Sequence, residues 1–463
     1  MRIEYTGLSE MQGSLIALEG VSDITYDELA EITLASGERR YGRVIKIDGD
    51  KVVLQVLEGT DGIDLENVNT HFTGKPIRIP LSKEILGRIF DGAGKPIDGL
   101  REVFPEERRD INGSAINPVS RKYPRSCILT GISSIDATST LIRGQKLPIF
   151  SGAGMSHNEL AAQIVRQAQT IDSSDEFAIV FCAMGVKNDT AEYFRKDFQA
   201  SGALGRVVMY LNMASDPIIE RILAPRCALT AAEYLAFSHG YHVLVIMTDM
   251  SSYCEALREF SSSKGEIPSR KGFPSYMYSD LASIYERAGM IRGQSGSVTQ
   301  VPILTMPNDD ISHPIPDLTG YITEGQIVLS RDLEQKGIYP PVAILPSLSR
   351  LMKDGTGEGY TREDHADLSN QLFASYSAVA DARSLASVIG EDELSEIDKL
   401  YVAFGNRFEN EFIAQGAREN RSLEQTLDLG WELLSMLPRQ ELGRVNDKLL
   451  DKYYRGDKAD SIL

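Results

Sequence analysis

The sequence predicts an α/β protein in three parts: an N-terminal β-barrel over residues 1–75, a central parallel-sheet α/β domain over 76–350, and a C-terminal helical bundle over 351–463. Three observations carry that reading. Short β-rich runs joined by hairpin-type turns come first. Near-continuous apolar runs alternating with helical patterns follow, and a helical apolar stripe comes last.

The first part contains "AEITL", "YGRVIKI" and "KVVLQVL", separated by "ASGE" and "DGDK". Both separators are tight-turn chemistry, with Gly supplying positive φ and Asp or Ser bonding its own backbone. Such closely spaced short strands predict a small antiparallel barrel.

The second part carries "KLPIF", "FAIVFCAM", "RVVMYLNM", "HVLVIMTDM" and "QVPILTM". These runs show no polar alternation, as expected of strands buried on both faces of a parallel sheet. The amphipathic stretch from Pro217 to Phe237 is a helix candidate between two of them. The alternation predicts a doubly wound domain.

In the third part, Ile397, Leu400, Tyr401, Phe404, Phe408 and Phe412 recur at three- and four-residue spacing and define one helix face. "SLEQ", opening at Ser422, is a capping-box pattern ahead of "TLDLGWELL".

A net charge of −18 opposes binding to nucleic acid and to anionic lipid, since phosphate recognition needs clustered Lys and Arg. The four cysteines, Cys127, Cys182, Cys227 and Cys254, are far apart and read as reduced, buried thiols. The six histidines do not join them at ligand spacing, so no metal site is expected. Runs such as "VLVIM" are too short to span a bilayer and the N-terminus lacks a signal-peptide core, so no direct membrane insertion is expected.

The stretch "KLPIFSGAGMSHNELAAQI", beginning at Lys146, has the layout of a phosphate loop: strand, glycine-bearing turn, helix. Free N–H groups and the helix dipole make that layout an anion site. Gly152 and Gly154 keep the turn flexible. A working loop reads G-x-x-x-x-G-K-S/T. Here Ser151 and Ser156 replace the two fixed glycines, His157 stands at the lysine and Asn158 at the magnesium-binding hydroxyl. "SHNE" itself fits a capping box, with Ser156 as N-cap and Glu159 three residues on. The expectation is a helix that closes its own end with these two side chains and binds nucleotide weakly or not at all. The competing reading is an ordinary strand–turn–helix.

Asp249 ends the "HVLVIMTDM" run, where a magnesium-organising acid stands in phosphate-loop enzymes. It equally suits a carboxylate bonding local backbone. A second glycine cluster, "DGAGKP", places Pro96 after Lys95 and reads as a plain turn. Arg350, in "LPSLSRLMKDGTGEG", precedes a Gly-rich turn between the second and third parts. A lone arginine is usually solvated, yet one on a domain edge can reach a neighbour's γ-phosphate.

Taken together, "GRIFDGAGKPIDG", "GQKLPIFSGAG", "ALTAAEYLAFSHGYHVLVIMTDMSSYCEALRE", "SIYERAG", "GSVTQVPILTMPNDDISHPIPDLTGYITEGQIVLSR" and "LPSLSRLMKDGTGEG" resemble the rotary ATPase alpha/beta family, in its V-type B (beta-chain) branch. The likeness runs the length of the chain. It implies a barrel, a RecA-like nucleotide-binding domain and a helical bundle, in that order. It also implies a ring of three catalytic A and three B subunits around a central rotor stalk, with a peripheral stalk, on the cytoplasmic side of the cell membrane.

In such rings the B subunit is non-catalytic and regulatory. Val186 stands where catalytic members carry the general-base Glu, and a valine cannot activate water. The resemblance gives Arg350 a role in trans, with ATP or ADP at the interface and Mg held mainly by the A subunit. Tyr339 matches a position near adenine in some catalytic relatives, although core packing is the simpler expectation here. The coupled ion, proton or sodium, is read from other subunits. One rival is a catalytic homohexameric ATPase of the same family. Others are an RNA-translocating hexamer on the same core and a structural ring spacer.

Overall fold

The computed structural model describes residues 4–172 and 174–456. Its N-terminal part is a seven-stranded antiparallel sheet around its own apolar core of residues such as Ile32, Val44, Leu54 and Phe72. The strands Glu28–Thr33, Arg39–Asp48 and Lys51–Val56 form its meander. They turn at the two predicted hairpins, where Gly37 and Gly49 take φ of 84° and 63°.

The central sheet has nine strands. Seven run parallel, in the spatial order Gly325–Leu329, Ile149–Gly152, Ser297–Met306, His242–Thr248, Phe177–Val186, Val207–Met213, Ile89–Asp91. Gly289–Met290 pairs antiparallel with Ser297–Met306. The edge strand Val342–Ser349 runs antiparallel to Gly325–Leu329.

Burial on both faces explains the unbroken apolar runs: Ile179, Val180, Phe181, Leu244, Val245 and Ile246 are all fully buried. The "KLPIF" strand begins three residues later than expected, at Ile149. Pro148 donates no N–H, and Lys146 touches the sheet only through a single bridge to Gln300. The helix predicted from Pro217 spans Ile218–His239, with Pro217 at its N-cap and Gly240 closing it at φ 80°.

The C-terminal part is helical: His365–Ile389, Glu396–Arg407 continuing as a π-turn over Phe408–Ile413, Leu423–Leu434 and Asp447–Tyr453. Phe404, Phe408 and Phe412 stack in a buried ladder with ring centroids 5.6 and 4.9 Å apart. Of the expected stripe, Ile397 and Tyr401 are half-buried and Leu400 is exposed, because the helix packs along the phenylalanine end of that face. Ser422 and Gln425 form the predicted capping box. The bundle and one face of the central sheet share a single apolar core. No helix among the described residues is long and apolar enough to cross a membrane.

Candidate functional site

The glycine-bearing loop lies where the Ile149–Gly152 strand gives way to the His157–Gln167 helix, with Gly154 at φ 76°. This is the carboxyl edge of the parallel strands, where open α/β sheets bind ligands. Here the chain has filled the position with its own groups. Glu334 Oε1 accepts from the Ser156 N–H at 2.8 Å, placing a carboxylate where the helix dipole would hold a phosphate. Met155 Sδ accepts from the Gly152 N–H at 3.3 Å. Arg331 pairs with Asp309 through contacts of 2.6 and 2.9 Å and donates to the Ala153 carbonyl at 3.1 Å. That pair lies so close that a Cβ on Gly152 would collide with both partners. A side chain at 152 would therefore displace this pair, whereas flexibility had been expected there; Gly154 has open space around it, and its positive φ is what favours glycine.

The expected self-capping of the helix does not occur. Ser156 is the N-cap residue, but at φ −77° and ψ 31° it lacks the extended backbone that aims a hydroxyl at the first helical turn. It makes no side-chain cap bond, and its Oγ is buried without a partner among the described residues. Glu159 is exposed, and Glu334 serves the helix end in its place.

Arg331 and Glu334 belong to one short helix, Arg331–Gln335, started by Ser330 Oγ accepting from the Leu333 N–H at 3.3 Å. Just past its other end, Lys336 Nζ reaches Glu409 in the helical bundle at 3.1 Å. Glu409 is almost fully buried and also takes hydrogen bonds from Tyr376, at 2.8 Å, and from Arg383. Those donors hold its carboxyl below the usual range against the opposing effect of burial.

His157 Nδ1 lies 3.0 Å from Ser151 Oγ. Burial holds the imidazole below its ordinary pKa, against the carboxylates of Asp249, Glu159 and Glu334. It is therefore neutral near pH 7 and does not replace the charge of a loop lysine. Asn158 follows, half-buried, at the second helical position.

Asp249 Oδ1 accepts from the Ser251 N–H at 2.8 Å and the Thr305 N–H at 3.2 Å, capping the Met250–Ser263 helix. This is the local-backbone role. Val186 ends its strand half-buried against the core. Tyr339 donates to Gln163 Oε1 at 2.8 Å, which ties the segment ahead of the Val342–Ser349 edge strand to the loop helix. The "DGAGKP" turn is held by Asp91 Oδ1 accepting from the Ala93 and Lys95 N–H groups, and Lys95 Nζ pairs with Glu58 of the barrel at 2.7 Å.

Arg350 is elsewhere. Ser349 pairs with Gly325 and Val342 with Leu329, so the edge strand delivers Arg350 to the amino end of the parallel strands. The Arg350 N–H donates to the Glu324 carbonyl at 2.9 Å. Val328 is level with Phe150, so Gly152 sits near the level of Ser330, about 20 Å along the sheet at a rise of about 3.3 Å per residue. The Arg350 side chain is exposed and forms no hydrogen bond or ion pair among the described residues.

Three stretches match family models: residues 8–74 the ATP synthase alpha/beta family beta-barrel domain, 131–349 its nucleotide-binding domain, and 354–454 the C-terminal domain of V and A type ATP synthases. The chain is 63% identical over 460 residues to the V-type ATP synthase beta chain 2 of Clostridium tetani, covering 99% of this chain and 100% of that one. The chain belongs to the V-type branch of the ATP synthase alpha/beta family. It is also 59% identical over 458 residues to the V-type ATP synthase beta chain of Halothermothrix orenii, covering 99% of each. A solved ATP synthase subunit, NeqB of Nanoarcheaum equitans, superposes with a TM-score of 0.73 at 41% identity, over 92% of this chain and 100% of that one.

Sequence reasoning missed Met155, Asp309, Arg331 and Glu334. Glu334 meets Ser156 across 178 residues, and no local pattern announces such a contact. The available signal was the acidic and basic spacing in "SRDLEQK", which also suits any exposed short helix.

Proposed function

We propose that this chain is the non-catalytic, regulatory B subunit of a V-type rotary ATPase or ATP synthase. It alternates with three catalytic A subunits in a six-membered ring around the central stalk, braced by a peripheral stalk at the cytoplasmic face of the membrane. ATP and ADP turn over at the interface with the A subunit, which holds Mg. The complex couples that turnover to proton or sodium transport.

The observation that carries this reading is the separation within the chain. Its loop is filled by Glu334, Met155 and the Arg331–Asp309 pair, while its exposed arginine, unpartnered among the described residues, stands at the other edge of the sheet. Arg350 therefore has no nucleotide of its own to serve. A guanidinium in that position suits a phosphate presented by a neighbour, where it would stabilise charge developing in phosphoryl transfer. Val186 in place of a general base and the neutral His157 support the same division of labour.

The test is Arg350→Ala in a ring reconstituted with the A subunit. Assembly should survive and turnover should fall by about 10³-fold or more. Turnover near the wild-type rate would refute the trans role. Steady hydrolysis by this chain alone would favour a catalytic homohexamer instead.

A further inference from the structure

Among the described residues the Arg350 side chain has no partner, so its main chain is what aims it. What holds that main chain is a buried polar cluster centred on Lys146. The Lys146 ammonium, 5% exposed, lies 2.8 Å from Glu324 Oε1 and 2.8 Å from Glu286 Oε1. Glu324 Oε2 accepts from the Lys146 backbone N–H at 2.8 Å, and the Glu324 N–H returns to the Lys146 carbonyl at 3.1 Å. Glu286 is fixed from behind by Arg121, at 2.9 Å.

The Glu324 carbonyl touches the finger's main chain, and Gln145, next to this lysine in sequence, touches the Ser349 hydroxyl before it. The Glu324 carbonyl accepts from the Arg350 N–H at 2.9 Å and from Gln145 Nε2 at 3.2 Å. Gln145, fully buried, also donates to Ser349 Oγ at 3.0 Å, and Ser349 donates on to the Thr140 carbonyl at 2.9 Å. The edge strand leaves no slack here: Gly325 takes φ +132°, and any Cβ on it would strike the Leu348 carbonyl.

We infer that Lys146 is a positioning residue for Arg350, holding Glu324, and through it the main chain of residues 349–350, in the register that aims the guanidinium at the neighbouring site. This rests on the trans role proposed above. The physical reason is preorganisation. A charged group stabilises a transition state only if it is already in place, and a displacement of about 1 Å can lower a rate by about 100-fold. Without Lys146, two partly exposed carboxylates, 38% and 29% exposed, would face each other with no cation between them, and Glu324 would move away, carrying the Arg350 N–H acceptor with it.

The experiment is a double-mutant cycle in the reconstituted ring, with Lys146→Met, Arg350→Ala and the pair, reading assembly by size and both kcat and KM for MgATP. Lys146→Met is expected to lower kcat by about 10- to 100-fold with KM nearly unchanged, and Lys146→Arg to recover most of the loss. In the Arg350→Ala background, Lys146→Met should change kcat by less than about twofold, because the group it positions is gone.

A fall of equal factor in both backgrounds would overturn the positioning role while leaving the trans role intact. Wild-type kcat in Lys146→Met would do the same. Wild-type kcat in Arg350→Ala would overturn the trans role and this inference with it. If Lys146→Met rings do not assemble, the isosteric Glu324→Gln carries the same coupling prediction and is judged by the same outcomes.

Discussion

Lowering the pH from 7 to 5 should loosen the helical bundle through one residue, His365. It is fully buried at the first position of the His365–Ile389 helix. Its Nε2 faces the Ala137 carbonyl at 3.1 Å and its Nδ1 faces Thr361 Oγ1 at 3.1 Å. Burial pushes the imidazole down from its ordinary value of 6.5 to about 4, outweighing the Ala137 carbonyl and Asp364, which favour the charged form. Between those two values the unfolded chain binds the proton and the folded chain does not. The stabilisation is therefore complete above pH 6.5 and is lost as pH falls toward 4. Integrating the linkage for one group gives a penalty of about 0.2 kcal/mol at pH 7 and about 2 kcal/mol at pH 5.

The chain contains its own reporter. Its single tryptophan, Trp431, donates to Asp364 Oδ2 at 2.6 Å, beside His365 in sequence. Urea unfolding followed by tryptophan fluorescence at pH 7 and pH 5, for wild type and His365→Gln, isolates the term as a difference of differences. Wild type should lose about 2 kcal/mol more than the variant on acidification. Equal losses would refute the assignment of the acid sensitivity to His365.

Two further outcomes follow from the same geometry. Burial, with Asp91 and Asp216 nearby, raises the Glu220 carboxyl to about 7, so its contribution to stability is lost as pH climbs from 4.5 through 7. Glu220→Gln should therefore gain about 1–2 kcal/mol over wild type at pH 8, a gain that shrinks by pH 5, as read by unfolding at both pH values. The isolated chain should show no tight MgATP binding in equilibrium dialysis, because the Gly152 and Ser156 N–H groups are already engaged and the Glu334 carboxylate stands at the helix end; sub-micromolar affinity would contradict the filled-loop account.

Much of this molecule was legible from residue order because its signals are local. The turns at Gly37 and Gly49, the buried strands around Phe181 and Ile246, and the Ser422–Gln425 cap each depend on neighbours within a few positions. The departure from the working loop pattern was legible too, in His157 and Asn158. Which groups occupy the loop was not. "SHNE" carries the right residue types for a self-made cap, but the backbone of Ser156 turns its hydroxyl aside, and a carboxylate 178 residues away takes the N–H. Nor could the spacing of "SLSR" reveal that the edge strand is antiparallel, the one fact that moves Arg350 to the far side of the sheet.

The Arg331–Gln335 helix has a mechanical consequence. It is a strut of about one and a half turns, pinned to the loop by Arg331 and Glu334 and to the bundle by Lys336 on Glu409. The helix gives a short path by which a tilt of the bundle would reach the loop. Leu333 beds its middle in the shared core, but the joint to the bundle is an ion pair and the joint to the loop is made by charged side chains on backbone groups, and Lys336 and Arg331 stand 50% and 40% exposed. The stiffness of this linkage is therefore set partly by the surrounding electrolyte. Added salt screens such exposed charges and softens the joints while leaving the apolar bearing between them unchanged.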